Sequence, residues 1–216
     1  MLKQFLKSPH RAFIFDCDGT IGDTMGLYFQ AWNRALKDVG APAQLEWGAF
    51  CNNGGRDFAA SVREYNDVNG CNIDPRVLEE LMEGYYGTFL PHVRPIKQVM
   101  ELILAEKKRP MAVASSGLRV NVAYILKHLQ LEKRMQAVVT REDVIIDGVA
   151  YVKPKPHLFL EAAKRLNISP KECMVFDDSP LGIEAAHAAG MECFQISHEL
   201  WDLRFRDRDI PFEDRS

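Results

Sequence analysis

The chain has 216 residues, about 1.4 times a typical domain, so one body carrying an insertion fits better than two independent halves. Apolar residues make up 47% and charged residues 26%, with 14 Gly and 11 Pro, which excludes a disordered, collagenous or repeat-dominated chain. Lys and Arg number 27 against 30 Asp and Glu, and a net charge of −3 gives no general pull toward nucleic acid or an anionic membrane, so affinity for a phosphorylated ligand must be local.

In chain order, the start MLKQFLKSPHR has no apolar core of the signal-peptide kind. A first strand is predicted at Ala12–Phe15. Over 25–91 no strand pattern occurs. Tyr28, Trp32, Leu36 and Val39 form one helical stripe ending at Gly40, a second helix is predicted over 57–66, and Pro75 opens a third reaching Phe89. Beyond it, Ile96, Val99, Met100 and Ile103 fall on one helical face, followed by a strand at Met111–Ala114 and a second amphipathic stripe, Val122, Ile125, Leu126 and Leu129. A third strand is predicted over 137–140, and Asp147-Gly148 between two apolar triplets signals a short hairpin. The stripe Phe159, Ala162, Ala163, Leu166 and strands over 174–176 and 193–196 complete the pattern, and the tail from 198, dense in Asp and Arg, reads as a solvated helix or a frayed end.

Short apolar strands alternating with amphipathic helices imply an α/β chain, a Rossmann-like parallel sheet with helices on both faces. The strandless stretch is an all-helical cap, 25–91, inserted into a discontinuous core, 1–24 and 92–216. Five cysteines, Cys17, Cys51, Cys71, Cys173 and Cys193, form no CxxC pair and read as free thiols in a reducing compartment. No apolar run approaches the roughly 20 residues that span a bilayer. A cytoplasmic protein is expected.

Four segments carry chemistry. The first strand stops at Asp16-Cys17-Asp18-Gly19-Thr20, and in an open parallel sheet the carboxyl ends of strands line the ligand crevice. Taken alone, this is equally a polar turn. The second strand ends in Ser115-Ser116-Gly117, able to present hydroxyl and backbone donors to an anion. Lys153 is held in Lys-Pro-Lys-Pro, which by itself reads as a basic loop. The fourth strand ends in Asp177-Asp178-Ser179-Pro180, where Ser179 as N-cap and Pro180 as first helical residue have a structural explanation and the acids do not. Adjacent carboxylates repel unless a cation lies among them, and hard oxygen ligands suit Mg²⁺. Together these segments supply the parts of phosphoryl transfer: a carboxylate nucleophile, a second carboxylate for protons, acids for a metal, hydroxyl donors and a cation.

In the same order, Asp16-Cys17-Asp18-Gly19-Thr20, Ser115, Lys153 and Asp177-Asp178-Ser179-Pro180-Leu181-Gly182-Ile183 resemble the four motifs of the haloacid dehalogenase-like (HAD) hydrolase superfamily. The likeness is to the branch with a small helical cap, which includes beta-phosphoglucomutases and sugar-phosphate and phosphoglycolate phosphatases. It implies that Asp16 attacks phosphorus to form an aspartyl-phosphate, while Asp18 protonates the leaving oxygen and later deprotonates water. It further implies Mg²⁺ held by Asp16, the Asp18 carbonyl and Asp178, with Asp177 assisting. Ser115 would bond a phosphoryl oxygen, with Ser116 and Thr20 as further donors, and Lys153 rather than Lys155 would offset the negative charge. Val152, His157 and Asp177 depart from common Gly, Asp and Glu without removing a chemical group.

The resemblance implies a Mg²⁺-dependent phosphatase of a small phosphorylated metabolite, a sugar phosphate first, acting as a monomer without nucleic acid or membrane. A phosphomutase is the alternative, but mutases of this branch carry a histidine at the place of Tyr28 and commonly a non-hydroxyl residue at that of Thr20. A non-catalytic binding protein would be expected to lack Asp16, Asp18 or the acidic pair. Substrate choice is expected in the cap loop Asn52-Asn53-Gly54-Gly55-Arg56, with Asn53 and Arg56 as contacts, although the same residues also fit a plain glycine-rich turn. Arg119 either contacts phosphate or simply begins the next helix.

Overall fold

The computed structural model describes residues 2–52 and 58–197. Two compact units are present among them, one from residues 2–23 and 94–197, the other from 24–93. The charged tail, Asn53 and Arg56 lie outside the described residues.

The first unit is built on strand β1 (Ala12–Phe15). The second contains α1 (Met25–Asp38), α2 (Trp47–Asn52), α3 (Phe58–Asn69) and α4 (Pro75–Phe89). The chain returns to the first unit with α5 (Lys97–Ala105), β2 (Met111–Ala114), α6 (Arg119–His128) and β3 (Ala137–Val139). The hairpin β4 (Ile145–Ile146) and β5 (Val149–Ala150) follows, then α7 (His157–Leu166), β6 (Cys173–Asp177), α8 (Pro180–Ala188) and β7 (Glu192–Gln195). Asp147 and Gly148 both have positive φ, 50° and 77°, which a two-residue primed turn requires.

The five-stranded sheet runs β3-β2-β1-β6-β7 and its neighbouring strands pair in parallel. β1, β2 and β6 are buried along their whole length, which explains why they appear in sequence as unbroken apolar runs. One face carries Ala12, Ile14, Ala112, Ala114 and Val175 against Leu158, Phe159, Ala162 and Ala163 of α7 and Ala185 and Ala186 of α8. The other face is aromatic: Phe15 stacks on Phe176 at 4.8 Å, Phe13 meets Phe176 edge-on at 5.4 Å, and Phe5 of the N-terminal 3₁₀ turn packs on Phe176 at 5.2 Å.

The second unit has its own core. α4 packs on α1 and α3, with Leu27, Leu36, Leu78, Met82 and Tyr86 buried. Tyr28 lies 4.2 Å from Tyr86, and its hydroxyl donates to Glu83 at 2.9 Å. Sequence periodicity misses α2, whose six residues are too short to show a repeat, although Trp47 and Phe50 lie 5.1 and 5.5 Å from Phe29.

Candidate active site

β1 and β6 are neighbours in register, Phe15 opposite Phe176, and the Asp16 N–H continues the ladder to the Phe176 carbonyl at 2.9 Å. The carboxyl ends of the two central strands therefore deliver Asp16, Asp177 and Asp178 to one spot. Their buried carboxylate oxygens lie within 4.8 Å of one another.

Lys153, 6% exposed, enters this acidic cluster from the loop before α7. Its ammonium donates to Asp16 Oδ1 and lies 2.7 Å from Asp177 Oδ2, with the Phe159 ring at 5.4 Å. Burial acts to strip its proton, and Asp16 and Asp177 outweigh that, holding it charged beyond its ordinary range. Lys155, by contrast, is exposed and sits 3.9 Å over the Tyr151 ring.

The acids are held differently. Asp177 Oδ1 accepts from the Ser179 N–H at 3.0 Å and the Ser179 hydroxyl at 2.9 Å, while Ser179 Oγ caps α8 through the Gly182 N–H at 2.9 Å. Asp178 Oδ1 accepts from Thr20 Oγ1 at 3.0 Å. Burial and the neighbouring Asp177 push Asp178 up to about 7, against the opposing pull of Lys153 and Thr20. Burial also raises Asp16 well above the carboxylate range; Lys153 opposes the rise, and Asp177, Asp178 and Asp18 add to it.

Three buried carboxylates thus share one lysine. That donor set, all oxygen and net negative, fits a hard divalent cation.

The hydroxyl loop lies beside Asp18. A Cβ on Gly117 would come within 3.2 Å of both Asp18 Oδ2 and Ser115 Oγ, so the half-buried Asp18 carboxylate and the Ser115 hydroxyl flank the same glycine. Ser115 Oγ accepts from the Gly117 N–H at 3.0 Å, which leaves its own proton to donate. Ser116 Oγ is buried and has no hydrogen-bond partner among the described residues.

Thr20, expected as a donor to phosphate, is fully buried and gives its O–H proton to Asp178, so in this arrangement it orients an acid. Arg119 begins α6, and its guanidinium pairs with Asp143 at 2.5 Å. Cys17 is buried between acids, and burial, Asp18 and Asp16 push its thiol well above the ordinary range, so it is no nucleophile.

Glycines complete the cluster. A Cβ on Gly182 would lie 2.0–2.1 Å from the Asp177 carboxylate, and one on Gly19, whose φ is +76°, would lie 2.6 Å from Asp178 Oδ2. Both are places where only a bare backbone lets a loop close on an acid. Gly19 directly follows Asp18, and Gly182 lies four residues beyond Asp178.

Residues 13–196 match the family model of haloacid dehalogenase-like hydrolases. The chain belongs to this family. It is 31% identical over 188 residues to a fructose-1-phosphate phosphatase of Escherichia coli, covering 87% of this chain and 96% of that one. It is 30% identical over 196 residues to a phosphorylated carbohydrates phosphatase of Thermotoga maritima, covering 88% and 87%. The crystal structure of a hydrolase from Pseudomonas syringae superposes with a TM-score of 0.73 at 26% identity, covering 92% of this chain and 90% of that one. Family members generally use a divalent metal, in keeping with the acid cluster. No helix among the described residues is long and apolar enough to cross a membrane.

Proposed function

We propose that this HAD hydrolase is a Mg²⁺-dependent phosphatase that removes the phosphoryl group of a small sugar phosphate by way of an aspartyl-phosphate on Asp16. The observation that carries this reading is the buried set of Asp16, Lys153, Asp177 and Asp178 at the ends of β1 and β6, with Ser115 and Asp18 paired around Gly117. The names of the two phosphatases above support the substrate class.

In the first step an Asp16 oxygen attacks phosphorus, the P–O ester bond breaks, and Asp18 gives its proton to the departing sugar oxygen. In the second, Asp18 takes a proton from water as the water oxygen attacks the acyl phosphate, releasing inorganic phosphate and restoring Asp16. Lys153, kept charged by Asp16 and Asp177, offsets the repulsion between the nucleophile and the phosphoryl oxygens. Ser115 donates to one of those oxygens. Asp16, Asp178 and the Asp18 carbonyl would hold the metal, with Asp177 assisting. When bound, Mg²⁺ supplies charge neutralisation at the phosphoryl group. The cap unit, 24–93, would select the sugar, with Asn53 and Arg56 as contacts. A cytoplasmic location fits the five free thiols, and a monomer is the state we propose.

The test is phosphate release from a panel of sugar phosphates and p-nitrophenyl phosphate, with Mg²⁺ or with EDTA, by wild type and Asp16→Asn. Release that needs Mg²⁺ and falls roughly 10⁴-fold or more in the variant is expected. Folded wild-type protein that releases nothing, yet interconverts hexose phosphates given a phosphorylated activator, would replace the hydrolase with a mutase.

A further inference from the structure

The Ser115-Ser116-Gly117 loop leads into α6, and that helix is capped from outside its own segment. Its N-cap residue, Leu118, has no side-chain acceptor. The Arg119 N–H, one of the orphan donors of any helix start, is taken by Glu142 Oε1 at 2.9 Å, from the 3₁₀ turn that follows β3. A carboxylate there also suits the positive end of the helix.

The next residue ties in two further elements. Asp143 Oδ2 accepts from the Arg119 guanidinium at 2.5 Å and from the Thr140 N–H and hydroxyl at 2.8 and 3.1 Å. Its Oδ1 accepts from Arg165 of α7 at 2.7 Å, and Arg165 also donates to the Val138 carbonyl of β3 at 2.9 Å. At the other end of α7 is the loop that carries Lys153. The Ser115 N–H, meanwhile, continues the β2–β3 ladder to the Val139 carbonyl at 3.0 Å. The turn 141–144 is therefore joined both to the hydroxyl loop and to the helix behind the lysine.

We propose that Glu142 and Asp143 are positioning residues of the phosphatase site: from a turn outside the acid cluster they fix the Ser115–Gly117 donors and the α7 frame behind Lys153. This rests on the hydrolase reading for the identity of the bound group, and on geometry alone for the coupling. Glu142 acts as the cap of α6, so what it needs to be is an acceptor. Asp143 acts as a junction with both oxygens occupied, and an amide at that position would turn a donor toward either Arg119 or Arg165. The two residues should therefore respond differently to loss of charge alone.

The experiment measures the affinity of the Mg²⁺-loaded enzyme for inorganic phosphate by calorimetry, and separately the turnover of p-nitrophenyl phosphate. Glu142→Ala is expected to weaken phosphate binding roughly ten-fold, the size seen when an outer partner of a site is removed. Glu142→Gln, which keeps an acceptor, should restore most of it, while Asp143→Asn should resemble Glu142→Ala. In a Ser115→Ala background Glu142→Ala should add little, because both act through one loop. Should Glu142→Ala fold poorly by circular dichroism, Arg119→Met, which keeps the capped N–H but removes the guanidinium bound to Asp143, tests the Asp143 side of the same turn and should weaken phosphate alike.

Wild-type phosphate affinity in folded Glu142→Ala overturns the proposal. So does a Glu142→Ala effect that multiplies in full with Ser115→Ala, or wild type that binds no phosphate. Phosphate binding without turnover by wild type would instead refute the hydrolase reading and leave the positioning role to be judged by the phosphate affinities.

Discussion

Two carboxylate clusters in the same unit show opposite electrostatics. Around Asp16, three acids and Lys153 are buried together, Lys153 Nζ meets Asp16 and Asp177, and burial pushes Asp178 up to about 7. Around Asp143, burial also acts to raise the carboxyl, but hydrogen bonds from Arg165, the Thr140 N–H and Arg119 outweigh it and hold the pKa down to about 2. Both clusters set carboxylates against cations. The difference lies in the number of donors per acid and in access to water: the arginine side chains of the second cluster are 48% and 34% exposed, whereas the Lys153 side chain is 4% exposed. The second cluster is complete within the protein. The first is short of positive charge, which a divalent cation would supply.

The largest effect should come from removing Lys153, the cation of the first cluster among the described residues. Lys153→Met leaves buried carboxylates uncompensated, at a cost of about 3–5 kcal/mol by urea denaturation in EDTA, along with loss of turnover. Asp16 and Asp178, already raised in the wild type, lose the opposing pull of Lys153, so they are protonated at low pH and the deficit grows as pH rises above the ordinary carboxylate range. A variant as stable as wild type in mildly alkaline EDTA would break the contrast between the clusters.

The strands were legible because β1, β2 and β6, covered on both faces, show continuous Val, Ile, Phe and Ala runs. The acids were legible because those runs stop at them. What sequence spacing does not carry is the direction of a hydroxyl: Thr20 adjoins the motif, yet its proton goes to Asp178, 158 residues away. The cap of α6 was hidden for a related reason, since Glu142 lies 23 residues beyond Arg119 and across a strand. Leu118, a residue that cannot cap, was the trace left in the local sequence.

A smaller effect sharpens the steric side of the first cluster. In Gly182→Ala the new methyl would meet the Asp177 carboxylate at 2.0 Å, and the repacking should cost about 1–3 kcal/mol and lower turnover by shifting the partner of Lys153. Gly84, inside α4 with nothing within 4 Å of its Cβ position, is the control. There the same change should stabilise by about 0.5–1 kcal/mol, measured by urea denaturation. Equal signs at the two positions would remove the claim that Gly182 is required by the acid rather than by the helix.

The smallest effect belongs to the exposed cluster, and its pH dependence separates the two. Asp143→Asn should cost about 1 kcal/mol near neutral pH, a modest value because solvent screens the exposed arginines. The folded pKa of Asp143, about 2, is depressed from the ordinary 3.8. Its contribution to stability is therefore complete above the higher value and is lost as pH falls through the lower one. Thermal melts of wild type and variant should keep a constant separation down to about pH 4 and converge toward about pH 2. Lys153→Met moves the other way, since its deficit grows with rising pH. A gap between wild type and Asp143→Asn that persists unchanged into strong acid would mean that Asp143 acts through a hydrogen-bond pattern that an amide cannot copy, and not as a charge shared by two arginines.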